Sequence, residues 1–238
     1  MPENTTLPTN LLHIRKKIPA HDSITTTHFY CPKCQDNLQD SRTDSKLKCD
    51  NCSASFPSCQ LLKSGSYFLY FDIKAQLEAV LKNYEVSQNF YSNLNRRNEG
   101  ILSDGFKEIT DGEMYKGLRL TGFDFSCIFN TDGVPVFKSS KFSIWPILIS
   151  IIELDFTLRK RNILTLALWF GNSKPKFNTF FKPFLRIAND LSSQCFVNWE
   201  HNNVLIRSRV IFPICVADSP ARCQCQGTKQ FNGAYGCS

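Results

Sequence analysis

The second half of the chain carries the clearest alternation of apolar and polar positions. From Phe123 to Asn130, every second residue is an aromatic ring or a cysteine. A period of two is typical of a half-buried β-strand. Thr131-Asp132-Gly133 then predicts a turn, and Val134–Phe137 predicts a hairpin return.

Longer apolar runs predict further strands, and one stretch between them has helical spacing. The predicted strands are Ile144–Phe156, Ile163–Phe170 and Val204–Val216. From Phe177 to Leu191, apolar residues recur at i, i+3, i+4 and i+7, which predicts an amphipathic helix that Pro183 kinks or begins. Pro220 suits the first turn of a last helix. The resulting order of strand, strand, strand, helix, strand, helix predicts an α/β fold in which helices cover a mixed sheet.

The first half is more polar and predicts less regular structure. Ser66–Phe71 predicts a short strand, and Asp72 is a candidate N-cap for an amphipathic helix over residues 73–84. Residues 85–112 are dominated by Asn, Ser, Arg, Gly and Asp, which predicts a linker with at most one helical turn. Residues 1–24 are rich in Thr and Asn and predict a flexible tail.

Two CxxC pairs in this polar region carry the most specific chemistry. Cys31-Pro-Lys-Cys34 and Cys49-Asp-Asn-Cys52 are separated by residues 35–48. A tight turn lets both sulfurs of one pair reach the same ion, and the intervening residues are enough for a hairpin that returns the second pair. The segment has little apolar surface to bury, so a bound ion would supply its folding energy. The spacing predicts a structural Zn²⁺ held by four thiolates.

Two alternatives for these cysteines are free thiols and disulfides. Residues 1–10 are polar and lack the apolar core of a signal peptide, and the total of 11 cysteines is odd. Both observations favour a reducing, intracellular location, where disulfides are rare. Because four thiolates already fill a tetrahedron, we expect Cys59, His21 and His28 not to bind the ion.

Composition bounds the class of protein. A hydrophobic content of 42% with 20 phenylalanines indicates a real core. The longest apolar run, Ile144–Leu154, is too short to span a bilayer and contains a proline and a glutamate. The net charge of +7 mildly favours a polyanionic partner. Basic residues cluster at Arg15-Lys16-Lys17, Arg96-Arg97 and Arg159-Lys160-Arg161, although each cluster could equally be a solvated loop.

Two aspartates come directly after predicted strands. Asp132 follows the first strand and Asp218 follows the last. Carboxylates that converge at one edge of a sheet can bind hard divalent cations, which activate water and stabilise a leaving oxygen in phosphodiester chemistry. The alternatives are local, because Asp-Gly after a strand often forms only a turn and Asp-Ser-Pro often caps a helix.

Several motifs, in this order along the chain, resemble those of CACTA-like (EnSpm-type) DDE transposases of animal genomes. They are Asn130-Thr-Asp-Gly-Val-Pro-Val-Phe-Lys-Ser-Ser140, Trp145-Pro-Ile, Leu168-Trp-Phe-Gly-Asn-Ser-Lys-Pro175, Ala217-Asp-Ser-Pro-Ala-Arg222 and Gln230-Phe-Asn-Gly-Ala-Tyr-Gly-Cys237. The cysteine pairs and Tyr70–Leu81 look like the segment that precedes the catalytic domain in that family. The resemblance covers most of residues 28–238.

The resemblance implies an RNase H-like core that cuts and rejoins DNA with two aspartates, a later glutamate and Mg²⁺ or Mn²⁺. It maps the aspartates onto Asp132 and Asp218, where Ala217-Asp218-Ser219 departs from the family's commoner Cys-Asp-Ala. The third acid and the cysteine that completes the next CxxC have no counterpart in this sequence. Glu153 and Glu200 precede Asp218, the wrong order for that third acid.

These observations predict a truncated, transposon-derived protein with little or no strand transfer of its own. The expected partner is DNA, bound through the basic clusters, in an intracellular and specifically nuclear location. An alternative is a non-catalytic module whose zinc ribbon binds DNA or a protein. Cys223, Cys225 and Cys237 could gather a second zinc or remain unpaired. The predicted segments are a flexible tail (1–24), a zinc-ribbon-like module (25–62), a helical and linker segment (63–117) and a truncated RNase H-like core (118–238).

Overall fold

The structure is a computed structural model of the whole chain, described here over most of its length. The described residues are 25–38, 46–100, 108–135, 142–171 and 173–228. The predicted tail, the basic cluster Arg15-Lys16-Lys17, Phe137 and Cys237 lie outside these ranges, as do His21 and the last motif, Gln230–Cys237.

The described residues form both strands and helices. The strands are β1 (Thr25–Phe29), β2 (Lys46–Lys48), β3 (Ser55–Pro57), β4 (Tyr67–Phe71), β5 (Phe125–Thr131), β6 (Val134–Pro135), β7 (Ser143–Ile151), β8 (Leu164–Gly171), β9 (Val197–His201), β10 (Val204–Ser208) and β11 (Val210–Val216). The helices are α1 (Ser58–Ser64), α2 (Ile73–Leu81), α3 (Tyr84–Asn98), α4 (Glu113–Lys116), α5 (Phe156–Arg161), α6 (Phe177–Ser193) and α7 (Ser219–Gln226), with a 3₁₀ turn at Ile109–Asp111.

One mixed sheet of seven strands organises the fold. Its order is β1-β4-β8-β7-β5-β11, with the short β6 paired to β7. β11 is parallel to β5, and every other pairing in this sheet is antiparallel. It follows that β1, β8, β5 and β11 all run in the same direction. The edge of the sheet at which these four strands end is called the carboxyl rim below.

Polar contacts fix the register between the two parallel strands at both ends. Asp124 precedes β5, and its carboxylate accepts hydrogen bonds from the backbone N–H and the guanidinium of Arg209, which precedes β11 (2.6–2.9 Å). At the other end, the side chain of Asn130 donates to the carbonyl of Val216 (2.8 Å). The last paired residues are also Asn130 and Val216.

Helix α6 covers one face of the sheet with an aromatic stripe. Phe180 is fully buried and packs edge-on against Phe68 of β4 and at a steep tilt against Trp169 of β8. One turn further along, Phe184 packs against Phe129 of β5 (ring centroids 4.9 Å apart). Each large ring removes much apolar surface from water, so this layer contributes strongly to hydrophobic stabilisation.

The structure resolves the alternative left open for Pro183. The helix begins at Phe177 and contains the proline in its interior. Proline has no N–H, so the carbonyl four residues earlier, that of Thr179, loses its helical partner. The side-chain amide of Asn37 donates to this carbonyl instead (3.1 Å). The segment around the first cysteine pair is thereby joined to α6.

The prediction of a linker over residues 85–112 is wrong for its first part. Residues 84–98 form a helix of 15 residues, capped by Asn83, whose side chain accepts from the N–H of Val86. Val86, Phe90 and Leu94 recur every four residues and are buried, whereas the rest of the helix is mostly polar. A narrow apolar stripe on a polar background is enough for a helix that packs along one line of contact.

Three strand predictions also require correction. The predicted strand Ile144–Phe156 ends at Ile151, and its last residue begins α5. The predicted strand Val204–Val216 is two strands, because β10 pairs with the unpredicted β9 in a separate ribbon before β11 enters the main sheet. The return strand β6 pairs with β7 rather than with the strand that precedes it.

Strands from three of the predicted segments share the main sheet. β1 lies in the predicted zinc-ribbon-like segment and pairs with β4 of the next segment. β4 in turn pairs with β8 of the predicted core. Tyr30 stacks on Trp169 across the same region (ring centroids 4.2 Å apart). The cysteine pairs are therefore attached to the sheet that carries both aspartates.

Truncating the buried ring of Phe180 should destabilise the whole domain. Phe180→Ala should lower the free energy of unfolding by about 3–5 kcal/mol, because it removes a large buried ring and leaves a cavity. Leu185→Ala is the matched control on the same helix, since Leu185 is 61% exposed. It should change stability by less than about 0.5 kcal/mol. Urea unfolding followed by tryptophan fluorescence measures both, and equal losses would contradict the assigned core.

Candidate metal centre and carboxylate rim

The two cysteine pairs form turns with the same backbone geometry. In each turn the N–H four residues after the first cysteine donates to that cysteine's carbonyl, from Gln35 to Cys31 (2.8 Å) and from Ser53 to Cys49 (2.9 Å). Gln35 and Ser53 both adopt a left-handed conformation, with φ of 57° and 58°. The short ladder of β2 and β3 returns the second turn to the first.

These turns bring the four sulfurs together. Cys31 lies 3.5 Å from Cys52 and Cys34 lies 3.5 Å from Cys49, measured between sulfurs. All four sulfurs lie within 4.8 Å of one another. A tetrahedral ion with metal–sulfur bonds of about 2.3 Å requires sulfur–sulfur edges of about 3.8 Å. The four cysteines are therefore positioned to hold a metal ion.

The protein environment shifts the pKa values of these thiols in different directions. Burial raises the pKa of Cys31 to about 12 and also raises that of Cys49. A hydrogen bond from the backbone N–H of Asp36 lowers the pKa of Cys34 to about 7. Backbone N–H groups of the turns also stabilise the thiolates of Cys31 and Cys49. A cluster of thiolates requires such N–H donors nearby, because they stabilise its negative charge.

The first cysteine turn is docked on the start of α6. Asp36 forms an ion pair with Lys176, the residue before the helix. The hydroxyl of Thr179 donates to the carbonyl of Gln35 (2.7 Å), and the Gln35 side chain donates to Ser173 (3.0 Å). Together with the Asn37 contact, these bonds tie the metal centre to the loop between β8 and α6. The sequence contained no signal for them, because each pair is separated by more than a hundred residues.

The sheet places the two predicted aspartates at neighbouring positions of the carboxyl rim. β5 and β11 are adjacent and parallel, and Asn130 pairs with Val216. Asp132 and Asp218 each lie two residues beyond that pair. Both side chains are exposed. This is the arrangement expected from the two strand ends, and it leaves both carboxylates open to an ion or a substrate from solvent.

Each aspartate also has a local hydrogen bond. Asp132 accepts from the N–H of Gly133 (2.7 Å), and Asp218 caps α7 by accepting from the N–H of Ala221 (2.8 Å). In both cases the bond involves one oxygen, Oδ1, so the carboxylate keeps further acceptor capacity. The two sequence-level alternatives, turn and cap, are therefore present and do not prevent metal binding.

The position after Asp132 has to be glycine for a steric reason. A Cβ added to Gly133 would lie 2.5 Å from Cζ2 of Trp145. Trp145 is nearly buried and packs edge-on against Phe177 at the start of α6. The rigid indole therefore fixes the path of the chain directly after Asp132.

The two glutamates considered as a third acid lie elsewhere. Glu153 is buried beside the start of β5, where it accepts hydrogen bonds from the hydroxyl and the N–H of Ser126 and from Tyr115 (2.7–2.9 Å). This is the opposite end of the strand from Asp132. Glu200 is exposed on β9, in the separate ribbon. Within the described ranges, the four cysteines are the one group of three or more metal-ligating side chains close enough to share an ion.

Two of the three cysteines near the end of the chain, Cys223 and Cys225, lie among the described residues. Cys223 is buried in α7, and Cys225 is hydrogen-bonded to Cys215 of β11. That bond lowers the pKa of Cys215 and raises that of Cys225. Cys215 had no sequence signal, because it lies within an apolar strand. None of the ten described cysteines forms a disulfide.

The basic cluster Arg96-Arg97 lies at the edge of the sheet opposite the carboxyl rim, whereas Lys160 of the cluster on α5 lines a cavity together with Asn130 and Val216. Arg97 donates to the carbonyls of Gly122 and Asp124 before β5 (2.8 Å each). Arg159 of α5 bonds Glu108 and the carbonyls that follow β7. These two arginines support the fold, whereas Arg96, Lys160 and Arg161 are exposed.

The chain matches no model of a known protein family and no curated protein to a significant degree. Its function therefore has to be inferred from the arrangement of its own residues. Among the helices of the described segments, each is too short or too polar to cross a bilayer.

Purified protein should contain one tetrahedral metal ion that depends on the four cysteines. Elemental analysis of material made without chelator should find about one equivalent of zinc, and Cys31→Ser should lose it because three thiolates bind far more weakly than four. Cys59→Ser is the matched control, since Cys59 is an exposed thiol outside the group. Metal well below one equivalent in the wild type, or equal loss in both variants, would contradict the site.

Glu153 should impose a pH dependence on stability. Burial raises its pKa above the ordinary 4.5, so the folded protein binds this proton more tightly than the unfolded chain. The free energy of unfolding should therefore fall as the pH rises from 4.5 through the raised pKa. Glu153→Gln should remove this fall, because an amide oxygen still accepts from Ser126 and Tyr115 but carries no charge.

The control for this experiment is Glu113→Gln, whose side chain is 83% exposed. Urea unfolding at a series of pH values should give parallel curves for the wild type and this control. A Glu153→Gln profile that is also parallel to the wild type would show that the buried carboxyl group does not titrate differently in the folded state.

Proposed function

We propose that the chain is a transposon-derived, DDE-transposase-like protein that binds DNA at its carboxyl rim, where Asp132 and Asp218 hold a divalent cation. Mg²⁺ or Mn²⁺ is the expected ion, because exposed carboxylate oxygens are hard ligands. Bound there, such an ion would polarise a phosphodiester and lower the pKa of an attacking water. Action on DNA implies a nuclear location.

The observation that carries this proposal is the parallel pairing of β5 with β11. The ends of these two strands, which are distant in sequence, lie side by side at one exposed edge because the register is fixed at both ends of the pairing, and an aspartate follows each end. The carboxyl ends of parallel strands are the usual position of ligand sites in α/β sheets. Neither aspartate forms an ion pair with a cation of the described residues.

The sheet order supports an RNase H-like core. β5, β7 and β8 form an antiparallel meander, α6 follows, and β11 returns beside β5 in the same direction. This is the strand order that the resemblance to CACTA-like transposases implies, with the two aspartates at the ends of its first and fourth strands. β4 and β1 extend the sheet beyond the meander on the other side.

The proposed ion would be weakly held and the chemistry slow. In the described part of the chain, no third carboxylate lies close enough to join the two aspartates around one ion. Two exposed carboxylates leave most positions of the ion to water. We therefore propose that DNA binding is retained while strand transfer by this chain alone is weak or absent.

The proposed ion of the cysteine centre is Zn²⁺, with a structural role. Four sulfur ligands leave no open position for substrate, as in structural zinc sites. Its position at the end of β1 fixes the turn that docks on α6. Metal in this centre would thereby support the loop that borders the carboxyl rim.

A second candidate is a non-catalytic binding module. The observation in its favour is that Asp132 and Asp218 both have local hydrogen bonds that explain their presence without an ion. In this case the metal centre and its surroundings would contact DNA or a protein, and the sheet would be scaffold only. The two candidates differ in whether divalent cations bind at the rim.

Binding of Mn²⁺ tests the proposal with variants that preserve the fold. Asp132→Asn and Asp218→Asn should each remove most Mn²⁺ binding, because ligand charge sets the affinity of such sites. Asparagine still accepts the N–H bonds of Gly133 and Ala221, and it is an equally good helix cap. Electron paramagnetic resonance of free Mn²⁺, titrated into zinc-loaded protein, measures the bound fraction.

Asp190→Asn is the matched control, because Asp190 is exposed near the far end of α6. It should bind Mn²⁺ as the wild type does. Undiminished binding in both rim variants would contradict the divalent site and favour the non-catalytic module. Mn²⁺-dependent nicking of plasmid DNA at a rapid rate, lost in Asp132→Asn, would instead contradict the proposed weakness of the chemistry.

A further inference from the structure

The metal centre and the two aspartates lie along one continuous surface. Gln35 of the first cysteine turn bonds Ser173, just beyond β8. The next residue, Lys174, places its ammonium 5.9 Å from the centre of the Trp145 ring. The same ring lies against Gly133, which follows Asp132. The turn, the β8–α6 loop and the β5 end thus follow one another along the carboxyl rim.

The dimensions of this surface suit a nucleic acid backbone. From β1 to β5 the sheet order counts four strand spacings, through β4, β8 and β7. At about 4.8 Å per spacing, the ends of β1 and β5 are about 19 Å apart along the rim. Successive base pairs of B-DNA rise about 3.4 Å, so this span corresponds to about five or six base pairs.

Two lysines of this surface are available to an anion. Lys33 lies inside the first cysteine turn and Lys174 inside the β8–α6 loop, and both are exposed. Neither forms an ion pair within the described residues. Lys176, by contrast, is held by Asp36. The charge of Lys33 therefore lies in the first cysteine turn, and the charge of Lys174 lies between the metal centre and the aspartates.

We propose that Lys33 and Lys174 contact the phosphates of a DNA strand that runs along the carboxyl rim from the cysteine turn to Asp132. This inference rests on the proposed function, and it assigns DNA contact to the rim rather than to the basic clusters of the sequence. Two exposed arginines, Arg96 and Arg119, lie at the opposite edge of the sheet, where they line the cavity that contains Glu153. A duplex bound along the rim does not contact them.

The salt dependence of DNA binding distinguishes DNA contact at the carboxyl rim from DNA contact at the opposite edge of the sheet. The protein is the zinc-loaded full chain, and the probe is a fluorescein-labelled 30-base-pair duplex with fluorescence anisotropy as readout. Each phosphate that the protein neutralises adds about 0.9 to the steepness of log K against log salt concentration. The double variant Lys33→Ala/Lys174→Ala should therefore flatten this slope by about 2. The control pair Arg96→Ala/Arg119→Ala removes the same charge from the opposite edge and should leave the slope unchanged.

Each outcome decides the inference. A flattened slope in the rim pair alone supports it. A flattened slope in the control pair alone places DNA on the opposite edge and overturns it, although the proposed function survives if Mn²⁺ still binds at the aspartates. An unchanged slope in both pairs overturns it in the same way. If the wild type does not bind DNA, the inference fails together with the proposed function.

Discussion

The parallel pairing of β5 with β11 sets the positions of Asp132 and Asp218 at the carboxyl rim. Along the sequence, β5 and β11 are separated by β7, β8, α6 and the β9–β10 ribbon, yet they are neighbours in the sheet. Arg209 and Asp124 fix where the pairing begins, and Asn130 fixes where it ends. A shift of one residue would separate Asp132 from Asp218 and turn apolar side chains to the wrong face.

Helix α6 connects this pairing to the metal centre. Its aromatic stripe packs on β4, β8 and β5, so the helix spans the sheet from the cysteine side to the aspartate side. Pro183 frees the carbonyl of Thr179, and Asn37 of the cysteine segment satisfies it. An interior proline, normally unfavourable in a helix, has here become a docking point between two parts of the chain that are distant in sequence.

The sequence predicted the parts of the fold that leave a local pattern. The cysteine spacing, the cap at Asp72 and the helix that starts at Phe177 all appear in the structure, because their signals lie within one or two turns of chain. The strand ends that carry Asp132 and Asp218 were also correctly placed at one edge. Periodicity is a reliable indicator when the apolar face is broad.

The parts that the sequence did not reveal depend on distant partners or on weak patterns. Helix α3 has only a narrow apolar line, and the break between β10 and β11 is marked by little more than the polar run Arg207-Ser208-Arg209. Glu153, which its order in the sequence disfavoured as a third acid, is a buried structural carboxylate that accepts hydrogen bonds from Ser126 and Tyr115. Such outcomes are set by tertiary packing, which overrides local preference.

Anomalous scattering from crystals of the zinc-loaded protein grown with Mn²⁺ would locate the divalent cation. We expect a manganese peak at the carboxyl rim with oxygens of both Asp132 and Asp218 at about 2.2 Å, a distance typical of hard divalent ions. We also expect a separate zinc peak among the four cysteines. If β5 and β11 are not neighbours in the crystal, or if manganese binds elsewhere and the rim is empty, Asp132 and Asp218 do not form a divalent-cation site.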